Sequence, residues 1–225
     1  MKSLTGWTIV FDLDGTLVDT APDLVNAMNH AMTSAGYQPA PYAFGRQFIG
    51  GGAKAMLRAA ARWQDLELDE DEVHRLWETF IPYYRANIAV DSVPFHGCLD
   101  ALTALEKRGA KLAVCTNKTQ ALTDQLLDTL GLTDRFISII GSDSVPSKKP
   151  DGDHIYRTIE AAGGVTEKSL MVGDSTTDEG AAKDLGVPLI FVEFGYGPEP
   201  EQDAVNVFRL ADYDGLVPLV ERLTD

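Results

Sequence analysis

The stretch WTIVFDLDGT, Trp7 to Thr16, decides the fold. Its first half is a β-branched and aromatic run with no polar alternation, which predicts a strand buried on both faces. It then breaks into Asp12, Leu13, Asp14 and Gly15, so the strand ends in two carboxylates and a sharp turn. Similar runs recur at 111–116 (KLAVCT), 136–141 (FISIIG), 170–174 (LMVGD) and 188–193 (PLIFVE), and 207–210 is a candidate edge strand. Helical patterns lie between them at 97–107, 119–130, 153–162 and 177–185. Gly109, Gly131, Gly163 and Gly186 stand where those helices should stop, and 213–223 reads as a closing helix. Continuous apolar strands alternating with helices predict an α/β fold, a doubly wound parallel sheet covered on both faces.

One interval breaks the rhythm. Between Val18 and Pro94 the pattern is helical, with helices expected at 21–34, 51–63 and 69–87 and no convincing strand. A crossover between neighbouring strands is far shorter. The expected organisation is therefore a core of residues 1–18 and 92–225, with an inserted all-helical domain of residues 19–91 and hinges at 18–20 and 91–94.

Composition narrows the function. The 225 residues carry 19 Lys and Arg against 34 Asp and Glu, a formal net charge of −15. Such a surface repels nucleic-acid phosphates and anionic headgroups, so neither nucleic acid nor membrane is expected as a partner. An anionic substrate would need local cations or a metal to reverse the field. No apolar run approaches the roughly 20 residues that span a bilayer, and the apolar stretch 7–11 is too short for a signal peptide. The expectation is a cytoplasmic protein. Cys98 and Cys115 have neither CxxC nor zinc spacing and are expected as buried thiols.

Polar clusters fall at the predicted carboxyl ends of the strands, where open α/β sheets bind ligands. Asp12 and Asp14 are two apart and share a strand face. Thr116, Asn117 and Lys118 offer a hydroxyl, an amide and backbone N–H groups suited to a phosphoryl oxygen, although Thr116 equally suits a helix cap. Lys148 and Lys149 sit on a loop before Pro150 and read either as anion neutralisers or as a solvated pair. Asp174 and Asp178 lie four apart across a strand-to-helix turn. Oxygen-only acidic ligands point to a hard cation, and Asp178 also suits a helix N-terminus. His30, His74, His96 and His154 show no metal or catalytic spacing and read as structural or solvated.

Together DLDGT, the strand-end Thr116, the KP loop and GDxxxD, in this order, resemble the haloacid dehalogenase superfamily of phosphohydrolases. The resemblance covers the whole chain and implies a Rossmann-like core with a helical cap. It implies Asp12 as the nucleophile that becomes an aspartyl phosphate and Asp14 as the general acid and base. Thr116 would hold phosphoryl oxygens, and Lys149, more than Lys148, would be the loop lysine. Mg²⁺ would sit on Asp12, Asp174 and the Asp14 backbone carbonyl, with Asp178 supporting it directly or through water.

Within the superfamily, DLDGTLVDTAPDL, GRQFIGGG at 45–52, CTNK, SKKP and FGYG at 194–197 resemble bacterial phosphoglycolate phosphatases. The implied substrate is 2-phosphoglycolate, a small phosphate ester, with Thr16, Asn117, Arg46 and Gly51 as substrate-binding residues. Gly152 departs from that pattern, which places a second proline there. A sugar-phosphate mutase, a phosphatase of other small phosphates or pyrophosphate, and a catalytically silent relative stay open as alternatives, as does a monomer or a homodimer.

Overall fold

The computed structural model describes residues 2–201 and 204–224. In chain order the elements are β1 (Thr8–Phe11), β2 (Val18–Asp19), α1 (Ala21–Ser34), α2 (Tyr42–Gly45), α3 (Ala53–Arg62), α4 (Glu70–Ala86), β3 (Val93–Pro94), α5 (Cys98–Glu106), β4 (Lys111–Cys115), α6 (Gln120–Thr129), β5 (Ser138–Ile140), α7 (Gly152–Ala161), β6 (Ser169–Gly173), α8 (Thr176–Leu185), β7 (Leu189–Val192), β8 (Val207–Leu210) and α9 (Leu216–Leu223). A 3-10 segment, Arg46–Gly51, joins α2 to α3.

Six strands form one sheet in the order β5-β4-β1-β6-β7-β8, and every pairing in it is parallel. The α/β expectation therefore holds. The chain winds outward from β1 through β4 to β5, then returns to build β6, β7 and β8 on the other side. The order reverses between β1 and β6, and the crevice outside the strand ends at such a switch point is where ligands bind.

Successive residues of each strand face opposite layers. On one face Val10, Ala113, Cys115, Met171, Leu189 and Phe191 pack with Ile155 and Ile159 of α7 and Ala181 and Ala182 of α8. The alternate residues, Ile9, Phe11, Val114, Leu170, Val172 and Ile190, are equally buried. Burial on both faces explains why these strands read as continuous apolar runs. Cys98 and Cys115 are free and buried, and burial pushes both thiols up to about 12.

The chain divides into two compact units. One comprises the chain up to Val18 and from Pro94 onward; the other is Asp19–Val93. The second unit is helical, with α1 packed against α3 and α4 over a core that includes Met28, Met32, Leu57 and Phe80. Asp69 caps α4 by accepting from Glu72 N at 2.8 Å. Buried Asp23, in the first turn of α1, accepts from Ser92 N at 2.8 Å and Ser92 Oγ at 2.6 Å, tying the start of the unit to its end.

Four elements differ from the sequence expectation. The two-residue strands β2 and β3 form a ribbon at the boundaries of the helical interval. They are too short to carry a period. The helix expected from Gly51 starts at Ala53, because Gly52 adopts φ +79°. The short α2 was not legible, since four residues contain only one helical turn. Among the described residues no helix is long and apolar enough to cross a membrane.

Candidate active site

The polar residues that follow β1, β4 and β6 gather in the core unit. Asp12 comes directly after β1, and Asp174 directly after β6, so the two stand on either side of the switch point. Carboxylate oxygens of Asp12, Asp174 and Asp178 all lie within 4.8 Å of one another, and all three residues are buried.

Lys149 enters this cluster from the loop before α7. Its side chain is 1% exposed, and Nζ lies 2.9 Å from Asp12 Oδ1 and 2.6 Å from Asp178 Oδ1. Burial works against its charge, yet Asp12 and Asp178 outweigh burial and hold the ammonium above its ordinary range. Lys148 is exposed. A second cation, Lys118, donates to both oxygens of Asp14, at 2.9 and 3.0 Å.

The carboxylates are held by backbone geometry. Asp174 Oδ2 accepts from Tyr196 N at 2.6 Å, and Oδ1 from the Thr16 hydroxyl at 3.2 Å. Gly15 adopts φ +84°, and a Cβ there would stand 2.4 Å from Asp174 Oδ2, so only glycine permits this turn so close to the acid. Asp178 closes a capping box with Ser175 at the start of α8. Its Oδ2 accepts from Ser175 N at 3.0 Å and Ser175 Oγ at 2.6 Å, while Oδ1 takes Lys149. Asp178 thus caps α8 with one oxygen and meets Lys149 with the other.

Thr116 is buried at the end of β4. Its N–H donates to Ile140 O at 3.1 Å, and its Oγ1 accepts from Lys118 N at 3.2 Å, which leaves the hydroxyl proton for an incoming oxygen. Asn117 Nδ2 donates to Lys149 O at 2.9 Å, while its buried Oδ1 has no hydrogen-bond partner among the described residues. Thr16 and Asn117, expected on substrate, thus donate to protein groups. Arg46 and Gly51 lie on the 3-10 segment of the helical unit.

Sequence reasoning gave no partners for Lys118, Tyr196 or His154. Lys118 and Tyr196 lie inside the quoted CTNK and FGYG stretches, but nothing in those stretches says that one pairs with Asp14 and the other's N–H meets Asp174. Gly152 has a local reason: its N–H donates to Asp184 Oδ2 at 2.8 Å, a bond proline could not make.

The electrostatics fit a hard divalent cation. Lys118 pairs with Asp14, and Lys149 with Asp12 and Asp178; these carboxylates, with Asp174 beside them, outnumber the two ammonium groups by two. Burial first, then neighbouring acids, push Asp174 up to about 8. Burial and Asp178 push Asp12 up to about 6 against the pull of Lys149. Asp12 Oδ1 is buried and receives no hydrogen bond among the described residues, although Lys149 stands beside it. An excess of like charge and an all-oxygen donor set are what a bound divalent ion resolves.

A family profile described as haloacid dehalogenase-like hydrolase matches residues 9–192. The chain belongs to the haloacid dehalogenase-like hydrolases. A phosphoglycolate phosphatase of Agrobacterium fabrum is 44% identical over 215 residues, covering 95% of this chain and 92% of that protein. One of Caulobacter vibrioides is 43% identical over 200 residues, covering 89% and 84%. A crystal structure described as a predicted phosphoglycolate phosphatase from Haemophilus somnus superposes with a TM-score of 0.86 at 29% identity, covering 96% of this chain and 98% of that one. The resemblance read from the motifs is therefore correct at the level of the family.

Proposed function

We propose that the chain is a Mg²⁺-dependent phosphatase that hydrolyses a small phosphate monoester, 2-phosphoglycolate, through an aspartyl phosphate on Asp12. The observation that carries the reading is the sealed contact of Lys149 with Asp12 and Asp178 at the carboxyl end of the central strand. The substrate class comes from relatives named phosphoglycolate phosphatase at 41–44% identity.

In the first step Asp12 attacks phosphorus, forming an Oδ–P bond as the ester P–O bond breaks. Asp14 gives a proton to the departing oxygen. Asp14 then takes a proton from water, whose oxygen attacks phosphorus. The P–Oδ bond breaks and the Asp12 carboxylate returns. Lys149 lowers the repulsion between Asp12 and the phosphate dianion, and the Thr116 hydroxyl donates to a phosphoryl oxygen. Asp12, Asp174 and the Asp14 carbonyl would hold Mg²⁺. Asp178, its oxygens engaged by Lys149 and Ser175, supports the set from behind. When bound, the ion supplies charge neutralisation for phosphoryl transfer. Thr16 acts through Asp174, and Asn117 through the Lys149 loop. Arg46 and the Gly51 backbone, on the helical cap of residues 19–91, would read the substrate carboxylate. In this reading the protein is cytoplasmic, a monomer or homodimer, with no nucleic-acid or membrane partner.

A panel of phosphate esters assayed with Mg²⁺ tests this. The expected result is phosphate release from all reactive esters, with kcat/KM highest for 2-phosphoglycolate. No release from any ester, or a higher value for a sugar phosphate, overturns the corresponding part of the reading.

A further inference from the structure

His154 is fully buried in the first turn of α7, and both ring nitrogens are engaged. Nδ1 stands 3.3 Å from Lys149 N, a group that can only donate, so Nδ1 is the acceptor. Nε2 then carries the proton and donates to Ile140 O at 3.2 Å. Burial and the nearby Lys149 charge push the imidazole down to about 4, which keeps it in this neutral form. Ile140 O is the same carbonyl that receives Thr116 N–H at 3.1 Å. An unbroken path therefore runs from Thr116 N–H to Ile140 O, through the His154 ring, to Lys149 N–H. On the far side of the same residue, Asn117 Nδ2 donates to Lys149 O at 2.9 Å.

We propose that His154 is a positioning residue, whose imidazole spans the end of β4 and the lysine loop and so fixes where the Lys149 ammonium stands against Asp12. This deepens the phosphatase reading and rests on it for the role of Lys149. The physical reason is that Lys149 N–H is buried. Without an acceptor it must shift toward one, and the loop moves with it. A displacement near 1 Å is enough to weaken a charge contact that works only at close range. A neutral imidazole suits the task because it accepts at one nitrogen and donates at the other across a fixed ring.

The test is a double-mutant cycle with kcat and KM read separately. His154→Leu should lower kcat by about 10- to 100-fold with KM changed less than about threefold. His154→Asn places Oδ1 where Nδ1 stands and should recover activity to within about fivefold of the parent. His154→Gln reaches Ile140 but not Lys149, and should stay close to the leucine variant. In a Lys149→Met background, His154→Leu should cost less than about twofold more, because the residue it positions is gone. An equal loss in both backgrounds overturns the proposal, and so does a glutamine variant as active as asparagine. If His154→Leu does not fold, the asparagine and glutamine pair decides. Failure of the underlying phosphatase reading appears elsewhere in the same cycle, as Lys149→Met alone retaining the parent rate.

Discussion

Lys149 Nζ lies 2.6 Å from Asp178 Oδ1, and neither side chain reaches solvent. A buried pair of this kind is costly to break from one side, because the surviving charge has no water to turn to. Asp178→Ala also removes the capping box of α8. The expected result is a loss of about 3–5 kcal/mol in urea unfolding at pH 7, with turnover falling as Lys149 loses its anchor. An unchanged unfolding midpoint would show that the pair holds nothing in place.

The second expectation concerns the cation. Burial pushes both Asp12 and Asp174 upward, with added repulsion from Asp178 and Asp14 on Asp12 and from Asp12 and Asp178 on Asp174, and a bound divalent ion relieves that repulsion. Chelation should abolish phosphate release and Mg²⁺ should restore it. Independently of activity, Mg²⁺ should raise the melting temperature of the chelated wild type, and raise it far less in Asp174→Asn. Full turnover in chelator would contradict the assignment.

Arg46 concerns selectivity. If its guanidinium pairs with the substrate carboxylate, Arg46→Ala should lower kcat/KM for 2-phosphoglycolate by roughly 10- to 150-fold, the equivalent of about 1.5–3 kcal/mol. An aryl phosphate without a carboxylate should lose far less. Equal losses on both substrates would assign Arg46 to folding or to the phosphate in general.

His154 gives a pH dependence with a definite sign. Its folded value is about 4, below the ordinary 6.5, with burial as the first cause and the Lys149 charge as the second. Protonation therefore costs more in the folded chain than in the unfolded one. The stability it contributes is complete above pH 6.5, declines as pH falls through 6.5, and is fully lost near pH 4. By pH 4.5 the loss should be about 2–3 kcal/mol. Urea midpoints at pH 7.5 and pH 4.5 should separate less in His154→Gln than in wild type. The same acid sensitivity in both proteins would remove His154 as the cause.

The sheet was legible because its strands are buried on both faces. Apolar runs such as Leu170–Val172 alternate with helices punctuated by Gly109, Gly131, Gly163 and Gly186, and the six parallel strands follow from that alternation. The candidate site residues Asp12, Asp14, Thr116, Lys149, Asp174 and Asp178 were legible as residue types at strand ends. Their partners were not. That Lys118 meets Asp14, that Thr16 donates to Asp174, and that His154 joins Ile140 to Lys149 are tertiary and loop contacts without a period. His154 reads in sequence as structural or solvated, and its burial realises the first, but nothing in the sequence names its partners.

The nucleophile is the claim on which the rest depends. Wild-type enzyme mixed with 2-phosphoglycolate and Mg²⁺, quenched in acid within milliseconds and digested, should carry an acyl phosphate on the peptide containing Asp12. Asp12→Asn should carry none, and Asp14→Asn should turn over about 10²–10⁴-fold more slowly while still becoming labelled. Phosphate bound covalently to any other residue would contradict the account, as would turnover by Asp12→Asn at the wild-type rate.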